Sequence, residues 1–411
     1  MKAIVLAAAK SIKLSPFSDT RPKSMMFFSG RYILESILIQ LSEAGVTEVW
    51  IVVNHKKEMI QKFFQYGKSL GLKLNYIFQP EELGIGQALS LCEDAIGDDK
   101  NFLLVYGDAL MSGNPFIPLI ERLELTEAKS LATITHPSSE GYYGNIYLSH
   151  NMEITKLLEK PSGSRISNYI FGGSFVLSHD CFKFLKDNDN DIVSLYQNLI
   201  KNKELEASLW EDNWIDISRP WYILAANQLM TEPWDCSIIP QTVEMDSNVQ
   251  ISGVVHIAKN AKIGSGTKIV GPCYIGENVF IGNNTLIREN TSIGPNSIIG
   301  YGTEIKNSVL FGNDIIGRLS YIGDSVIGEN VNLGSGIVTV NYNPKNIGIS
   351  CHLNESEPIN TDLNKLGVFI GDNSIIGSGH KIAPGTMIPP NFTIADNVSI
   401  DQSFIESKQK K

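Results

Sequence analysis

Two repeating patterns predict the fold class: an α/β half with a mainly parallel sheet, then a parallel β-helix. In the first half, apolar runs of strand length alternate with stretches of helical spacing. In the second half isoleucine returns every six residues, which marks a β-helix built from short repeats. The chain has 411 residues, enough for two or three domains at about 150 residues each.

The first half reads as follows. Ile4–Ala8 is an apolar strand. It could be mistaken for the core of a signal peptide, but Lys10 and Lys13 follow it at once, so a buried first strand is the expectation. Tyr32–Ala44 has helical spacing through Ile33, Ile37 and Leu41 and stops at Gly45. Glu48–Val53 is a strand, Lys56–Tyr66 a helix, Lys73–Phe78 a strand and Ile85–Ala95 a helix. Phe102–Tyr106 is a strand ending in Gly107-Asp108. Right-handed crossovers give a mainly parallel sheet, and ligands bind beyond the carboxyl ends of its strands. The loops at 9–23, 79–84 and 107–112 are therefore expected to meet at one site.

In the second half, isoleucine stands at 251, 257, 263, 269, 275, 281, 287, 293, 299 and 305, with Phe311 continuing the series. Small or β-branched residues stand two before each. The phase shifts near Ile316, Ile322, Ile327 and Leu333, then resumes from Ile370 to Ile400. Each hexad lays one short strand with its isoleucine inward. A glycine often follows, expected to turn the corner at positive φ. The irregular stretch Asn341–Leu366 reads as a functional loop. Residues 222–245, with Pro233 and Pro240, read as a helix and linker.

Composition narrows the function. Hydrophobic residues make up 43% and charged residues 19%, at a net charge of −10. No basic block exists beyond Lys408, Lys410 and Lys411, so no nucleic-acid partner is expected. No apolar run reaches the ~18 residues of a membrane span. Cys92, Cys181, Cys236, Cys273 and Cys351 are scattered without a C-x-x-C, and read as buried thiols of a reducing cytoplasm.

The two halves in this order resemble the bifunctional sugar-1-phosphate nucleotidylyltransferase/acetyltransferases. The likeness is to the N-acetylglucosamine-1-phosphate uridylyltransferase/glucosamine-1-phosphate acetyltransferase type, in its shorter archaeal form. The residues that carry it begin at Leu6-Ala7-Ala8-Ala9-Lys10-Ser11-Ile12-Lys13-Leu14 and Arg21-Pro22-Lys23. They stand where the family has L-A-A-G-x-G-T-R-L and R-P-K. Backbone N–H groups of such a loop approach a triphosphate, and a cation stabilises the leaving pyrophosphate. Lys23 is kept and Lys13 replaces an arginine, losing its bidentate fork. Both glycines are gone, as Ala9 and Ser11. A non-glycine residue at positive φ there would cost on the order of 1 kcal/mol or more, so the loop is expected to bind phosphates poorly.

By the same resemblance, Gln79 and Gly84 belong to base recognition, and Gly144, Glu159, Lys160 and Gly173 to the sugar pocket. Asp108, after Gly107, and Asp216, in Trp214-Ile-Asp216-Ile-Ser-Arg-Pro-Trp221, would hold one Mg²⁺. Phe171 replaces the family's sugar-contacting asparagine, which bears on an N-acetylhexosamine specificity. In the repeat half the resemblance implies a sugar-phosphate pocket. Arg288 and Lys306 match its cations; Tyr321, Asn332, Asn341 and Lys345 match the rest. The general-base position holds Arg318, which cannot accept a proton near neutrality, so acetyl transfer is expected to be impaired. His380 reads as a packed repeat residue, with an alternative base as the other option.

The resemblance implies a Rossmann-like nucleotidyltransferase domain over 1–230, a linker over 231–245, a left-handed parallel β-helix over 246–403 and a tail over 404–411. It implies a cytoplasmic enzyme that takes a nucleoside triphosphate and a sugar 1-phosphate, requires Mg²⁺, can engage acetyl-CoA and trimerises through the β-helix. Two rivals stay open. One is a catalytically degenerate sugar-nucleotide sensor or regulatory subunit. The other is a plain transferase whose β-helix only assembles the trimer.

Overall fold

The computed structural model describes residues 1–126, 128–137, 143–158, 168–344, 348–352, 358–395 and 399–401. They form two compact units. The first takes Met1–Lys10, Pro22–Met25 and Ile33–Asp216; the second takes Ser11–Arg21, Met26–Tyr32 and Ile217 onward. The division thus falls at residue 216 rather than 230, and two early segments group with the repeat half. The helix Tyr222–Thr231 explains the shift: within the second unit its Asn227 side chain donates to Asn290 O at 2.8 Å.

The first unit is built on a seven-stranded sheet. Its order is Leu205–Trp210, Ser130–Thr135, Ile170–Ser178, Asn101–Tyr106, Lys2–Ala7, Glu48–Val53, Lys73–Phe78. Lys2–Ala7 pairs in parallel with strands on both sides, and Ala3, Ile4 and Val5 are fully buried. The apolar start of the chain is therefore a central strand. The strands through Tyr106 are parallel, as expected, but Ile170–Ser178 runs antiparallel to both its neighbours, so the sheet is mixed. The helix Ile33–Glu43 buries Ile33, Leu34, Ile37, Leu38 and Leu41 and ends at Gly45, φ 79°. The helix expected over 85–95 is two, Ile85–Ser90 and Glu93–Ile96. The chain tightens between them, where the Cys92 N–H bonds Leu89 O at 2.9 Å.

The second unit is a left-handed parallel β-helix with three flat faces of eight, eight and seven short strands. Its core is the isoleucine column foreseen in the sequence, from Ile257 to Ile400. Early coils advance eighteen residues, so Lys262 pairs with Phe280. At Ile298↔Ile315 the step is seventeen. That missing residue is the phase shift, and it corrects one assignment. Leu310, paired with Ile293, enters the core, while Phe311 turns onto the Phe17 ring at 5.2 Å. Asn332 pairs with Ile375, 43 residues on, so the segment around Asn341–Leu366 is an excursion from one coil. It is not structureless: Ser350–Cys351 pairs antiparallel with Ile359–Asn360.

The glycine expectation is also corrected. Gly264, Gly276, Gly282, Gly294 and Gly300 are not at positive φ. They are glycines because the next coil passes too close: a Cβ at Gly282 would lie 2.8 Å from Tyr301 N, and at Gly300 2.6 Å from Arg318 N. Gly312, which also follows the series, is at φ 127° as expected. The other left-handed corners are shared between glycines such as Gly266, Gly302 and Gly336 and asparagines such as Asn260, Asn278 and Asn296, whose side chains hydrogen-bond from coil to coil. Four cysteines are buried as expected; Cys236 is exposed, a correction. His380 is fully buried. Among the described residues, no helix is long and apolar enough to cross a membrane.

Candidate active site

In the first unit the short strand Ala109–Met111 pairs antiparallel with Trp214–Asp216, and Asp216 stands opposite Ala109. That register sets the Asp216 carboxylate beside Asp108. The Trp214 indole N–H donates to Gly172 O at 2.9 Å and anchors this two-stranded ribbon to the main sheet. A 3₁₀ turn, Lys23–Met25, begins just after Pro22 and presents Lys23 to the pair. Its ammonium donates to Asp108 Oδ2 at 2.9 Å and to Asp216 Oδ1 at 2.7 Å. Burial alone would lower the Lys23 pKa; the two carboxylates outweigh it and hold it above the ordinary lysine value. Burial, with Asp108 adding repulsion, raises the Asp216 pKa against the pull of Lys23. Lys23 balances the two adjacent carboxylates, whose hard oxygens are also of the kind that hold Mg²⁺.

Beyond the strand ends lies a cleft of about 270 Å³, lined by Ala8, Ala9, Gln79, Glu82, Gly84 and Asp108, among others. Three of the expected loops meet there. The first loop contributes Ala9 from its start and Lys23 from its end, while Ser11 and Lys13 between them group with the second unit. The strain expected of the lost glycines is absent: Ser11 has φ −80° and Ala9 is not at positive φ. Gln79 is buried, its amide donating to Gln87 Oε1 at 2.6 Å; Gly84 has φ 96° and opens the following helix. Sequence reasoning missed Glu82, although it lies inside the quoted Gln79–Gly84 stretch. Its carboxylate accepts the Lys10 backbone N–H at 3.1 Å.

A second lobe of about 230 Å³ shares Ile85 and Tyr106 with the cleft and holds Gly144 and Phe171. Gly173 does not line it. Gly173 packs under Ala109, where a Cβ would lie 3.1 Å from the Ala109 Cβ, so it supports the Asp108 strand. Glu159 and Lys160 lie outside the described residues.

In the second unit, the position after the inward isoleucine is mostly glycine on two faces of the β-helix, and on the third it is held by Arg288 and Lys306, with Gly323 paired to Lys306. Both cations are paired. Arg288 Nη1 donates to Glu304 Oε1 at 3.1 Å, and Lys306 Nζ lies 3.9 Å from Asp324 Oδ2. Asn341 Nδ2 donates to the Tyr321 hydroxyl at 3.0 Å and to Asp324. Burial raises the Tyr321 pKa, with Asp324 and Glu304 adding to it. Glu304 and Asp324 escaped the sequence reading, as did Gly323, where a Cβ would lie 2.6 Å from the Tyr321 hydroxyl. Arg318 lies at the other end of this face, three residues before Tyr321. Asn332 opens a strand of a different face and does not join the cluster. Lys345 lies outside the described residues.

The nucleotidyl transferase family model matches residues 2–232, and the GMPPB C-terminal domain model matches 269–343. The chain belongs to the family of bifunctional sugar-1-phosphate nucleotidylyltransferase/acetyltransferases. It is 37% identical to the bifunctional protein GlmU of Methanococcus maripaludis, over 100% of this chain and 98% of that one. It is 29% identical to a bifunctional sugar-1-phosphate nucleotidylyltransferase/acetyltransferase of Sulfurisphaera tokodaii, over 94% of each. A solved Bacillus anthracis protein, described as a glucose-1-phosphate thymidylyltransferase, shares the fold of the first half. Its TM-score is 0.53 at 22% identity, over 58% of this chain and 98% of that one. The chain is thus a nucleotidyltransferase, and Lys23, Asp108 and Asp216 are the polar centre of its first unit.

Proposed function

We propose that this protein joins a nucleoside triphosphate to a sugar 1-phosphate with release of pyrophosphate. The observation that carries the reading is the Lys23 ammonium held between Asp108 and Asp216 at the mouth of a cleft lined by Gln79, Gly84 and Ala9. A phosphate oxygen of the sugar 1-phosphate forms a bond to the α-phosphorus of the triphosphate. The bond from that phosphorus to the bridging oxygen breaks, and the electron pair leaves on pyrophosphate. Lys23 neutralises charge that builds on the phosphates during transfer. Gln79 and Gly84 hold the base, and Gly144 the sugar. Asp108 and Asp216 are the residues that would hold Mg²⁺, which supplies charge neutralisation and orientation when bound.

We place the reaction in the cytoplasm and assign the β-helix to trimer assembly. The latter rests on a column of half-exposed apolar residues on one flat face: Phe280, Ile298, Ile315 and Ile375. Acetyl-CoA and a sugar phosphate are the ligands the family implies for the Tyr321–Asn341 cluster. Arg318 in place of the base supports impaired acetyl transfer, and the internal pairing of Arg288 and Lys306 weakens their pull on a phosphate.

The test is pyrophosphate release with Mg²⁺, crossing UTP, dTTP, GTP, CTP and ATP with glucose-, mannose-, galactose- and N-acetylglucosamine-1-phosphate and further sugar 1-phosphates. Turnover with any pair is expected. Lys23→Ala should lower kcat about 10²–10³-fold. Silence across the panel, from protein that still binds a nucleotide sugar, would favour the regulatory reading.

A further inference from the structure

The second lobe of the cleft has an unusual lining for a sugar site. Among the described residues, its only polar side-chain atoms are the hydroxyls of Tyr106, Tyr143 and Tyr196; amides, carboxylates and cations are absent. The Tyr196 hydroxyl is engaged by that of Tyr106, at 3.1 Å. Phe171 lies edge-on to Phe175 at 5.1 Å and against Tyr196 at 5.2 Å. Tyr196 and Phe175 stack at 4.9 Å. Phe171 is therefore fixed by two rings behind it and cannot turn aside to admit a polar substituent. Leu157, Ile192 and Val193 complete the apolar wall.

A hydroxyl or acetamido group pressed against such a wall gives up its water and gains no partner. A methyl or methylene group gives up nothing and gains contact. The preference is graded: an apolar pocket separates substrates differing by one hydroxyl or methylene by roughly 10- to 100-fold.

We propose that Phe171 and the rings packed behind it select a deoxyhexose 1-phosphate, with the deoxy position against Phe171, over the parent hexose or its N-acetylamino derivative. This rests on the transfer activity proposed above and names the substrate class of the same site. Gly144 lies in the same lobe, which leaves backbone groups for the remaining hydroxyls.

The experiment measures kcat/KM for pyrophosphate release, each nucleoside triphosphate being tried. The sugars are the 1-phosphates of glucose, galactose, N-acetylglucosamine, 2-deoxyglucose, 6-deoxyglucose and fucose. At least one deoxy sugar should exceed its own parent hexose by tenfold or more. Phe171→Asn should cut that ratio at least tenfold, whereas Phe171→Leu, which keeps the wall apolar, should preserve its direction. Glucose or N-acetylglucosamine 1-phosphate turned over as well as every deoxy sugar overturns the proposal while leaving the transfer reading intact. So does an unchanged ratio in folded Phe171→Asn. Silence with every sugar overturns the transfer reading, and this one with it.

Discussion

Asp314 is a fully buried carboxylate in the β-helix unit. Its Oδ1 accepts the Val331 N–H at 2.8 Å and its Oδ2 the Gly312 N–H at 3.0 Å. Burial pushes its pKa well up, against the pull of those two N–H groups, and the charges of Asp372 and Glu329 push the same way. A folded-state value above the unfolded one means that the stabilising contribution is full below the ordinary aspartate range, near pH 4. It is lost as pH rises toward the folded pKa. Asp314→Asn carries no such charge. The Tm of the variant relative to the parent should therefore climb between about pH 4 and pH 7, and a difference flat in pH would refute the assignment. Nothing in the sequence announced Asp314, which reads there as one more acid in a turn. Lys23, Asp108 and Asp216 were legible as candidates because each sits in a short stretch that resembles a family motif, and the structure brings the three together. Glu82 was in view, but its bond to Lys10 depends on a loop conformation that spacing does not encode.

At the scale of elements, the β-helix unit takes in the segment Ser11–Arg21. Arg21 is 2% exposed and donates to Asp372 and, at 3.0 Å, to Glu329; Thr20 donates to Asp372 at 2.7 Å. Burial alone would lower the Arg21 pKa, and Asp372 and Glu329 reverse that, so the guanidinium stays charged. Asp372→Ala should cost about 3–5 kcal/mol, because it strands the buried Arg21 charge, whereas replacing Arg21 and Asp372 together by leucine should recover much of the loss. Thermal unfolding of the full chain measures both. A loss below 1 kcal/mol in Asp372→Ala would show that Glu329 suffices. Strands and the repeat were plain in the sequence, since periods of two and six are properties of residue order. The corner chemistry was misread for a physical reason. A glycine needed for close approach and one needed for positive φ look the same in a sequence, and here the second role is divided between asparagines and a different set of glycines, Gly266, Gly302 and Gly336 among them. Phe311 was misassigned because a seventeen-residue coil shifts the inward position by one residue.

For the molecule as a whole, the β-helix leaves a question of surface rather than of core. Its strands pair coil to coil, and the isoleucines of its inward column are sealed inside. Yet Phe280, Ile298, Ile315 and Ile375 stand 43–49% exposed in one column of one face. Asn332 pairs with Ile315 on one side and Ile375 on the other, in the same column. Monomers seldom leave such an apolar stripe, broken only by Asn332, in water, because its burial is favourable by roughly 25 cal/mol for each Å² removed from solvent. A trimer would cover it, and would set Asn332 at an interface, where a residue remote from Tyr321 within one chain can meet another chain's cluster. Ile298→Lys puts a charge in the middle of the stripe, and its desolvation would oppose association. Sedimentation should show the parent protein at the mass of three chains and Ile298→Lys at the mass of one. Lys62→Glu, exposed on the helix Lys57–Phe64 of the first unit, should leave the mass of the parent unchanged. A parent that sediments as a single chain at micromolar concentration would remove the trimer, and with it the reason for placing Asn332 at a shared site.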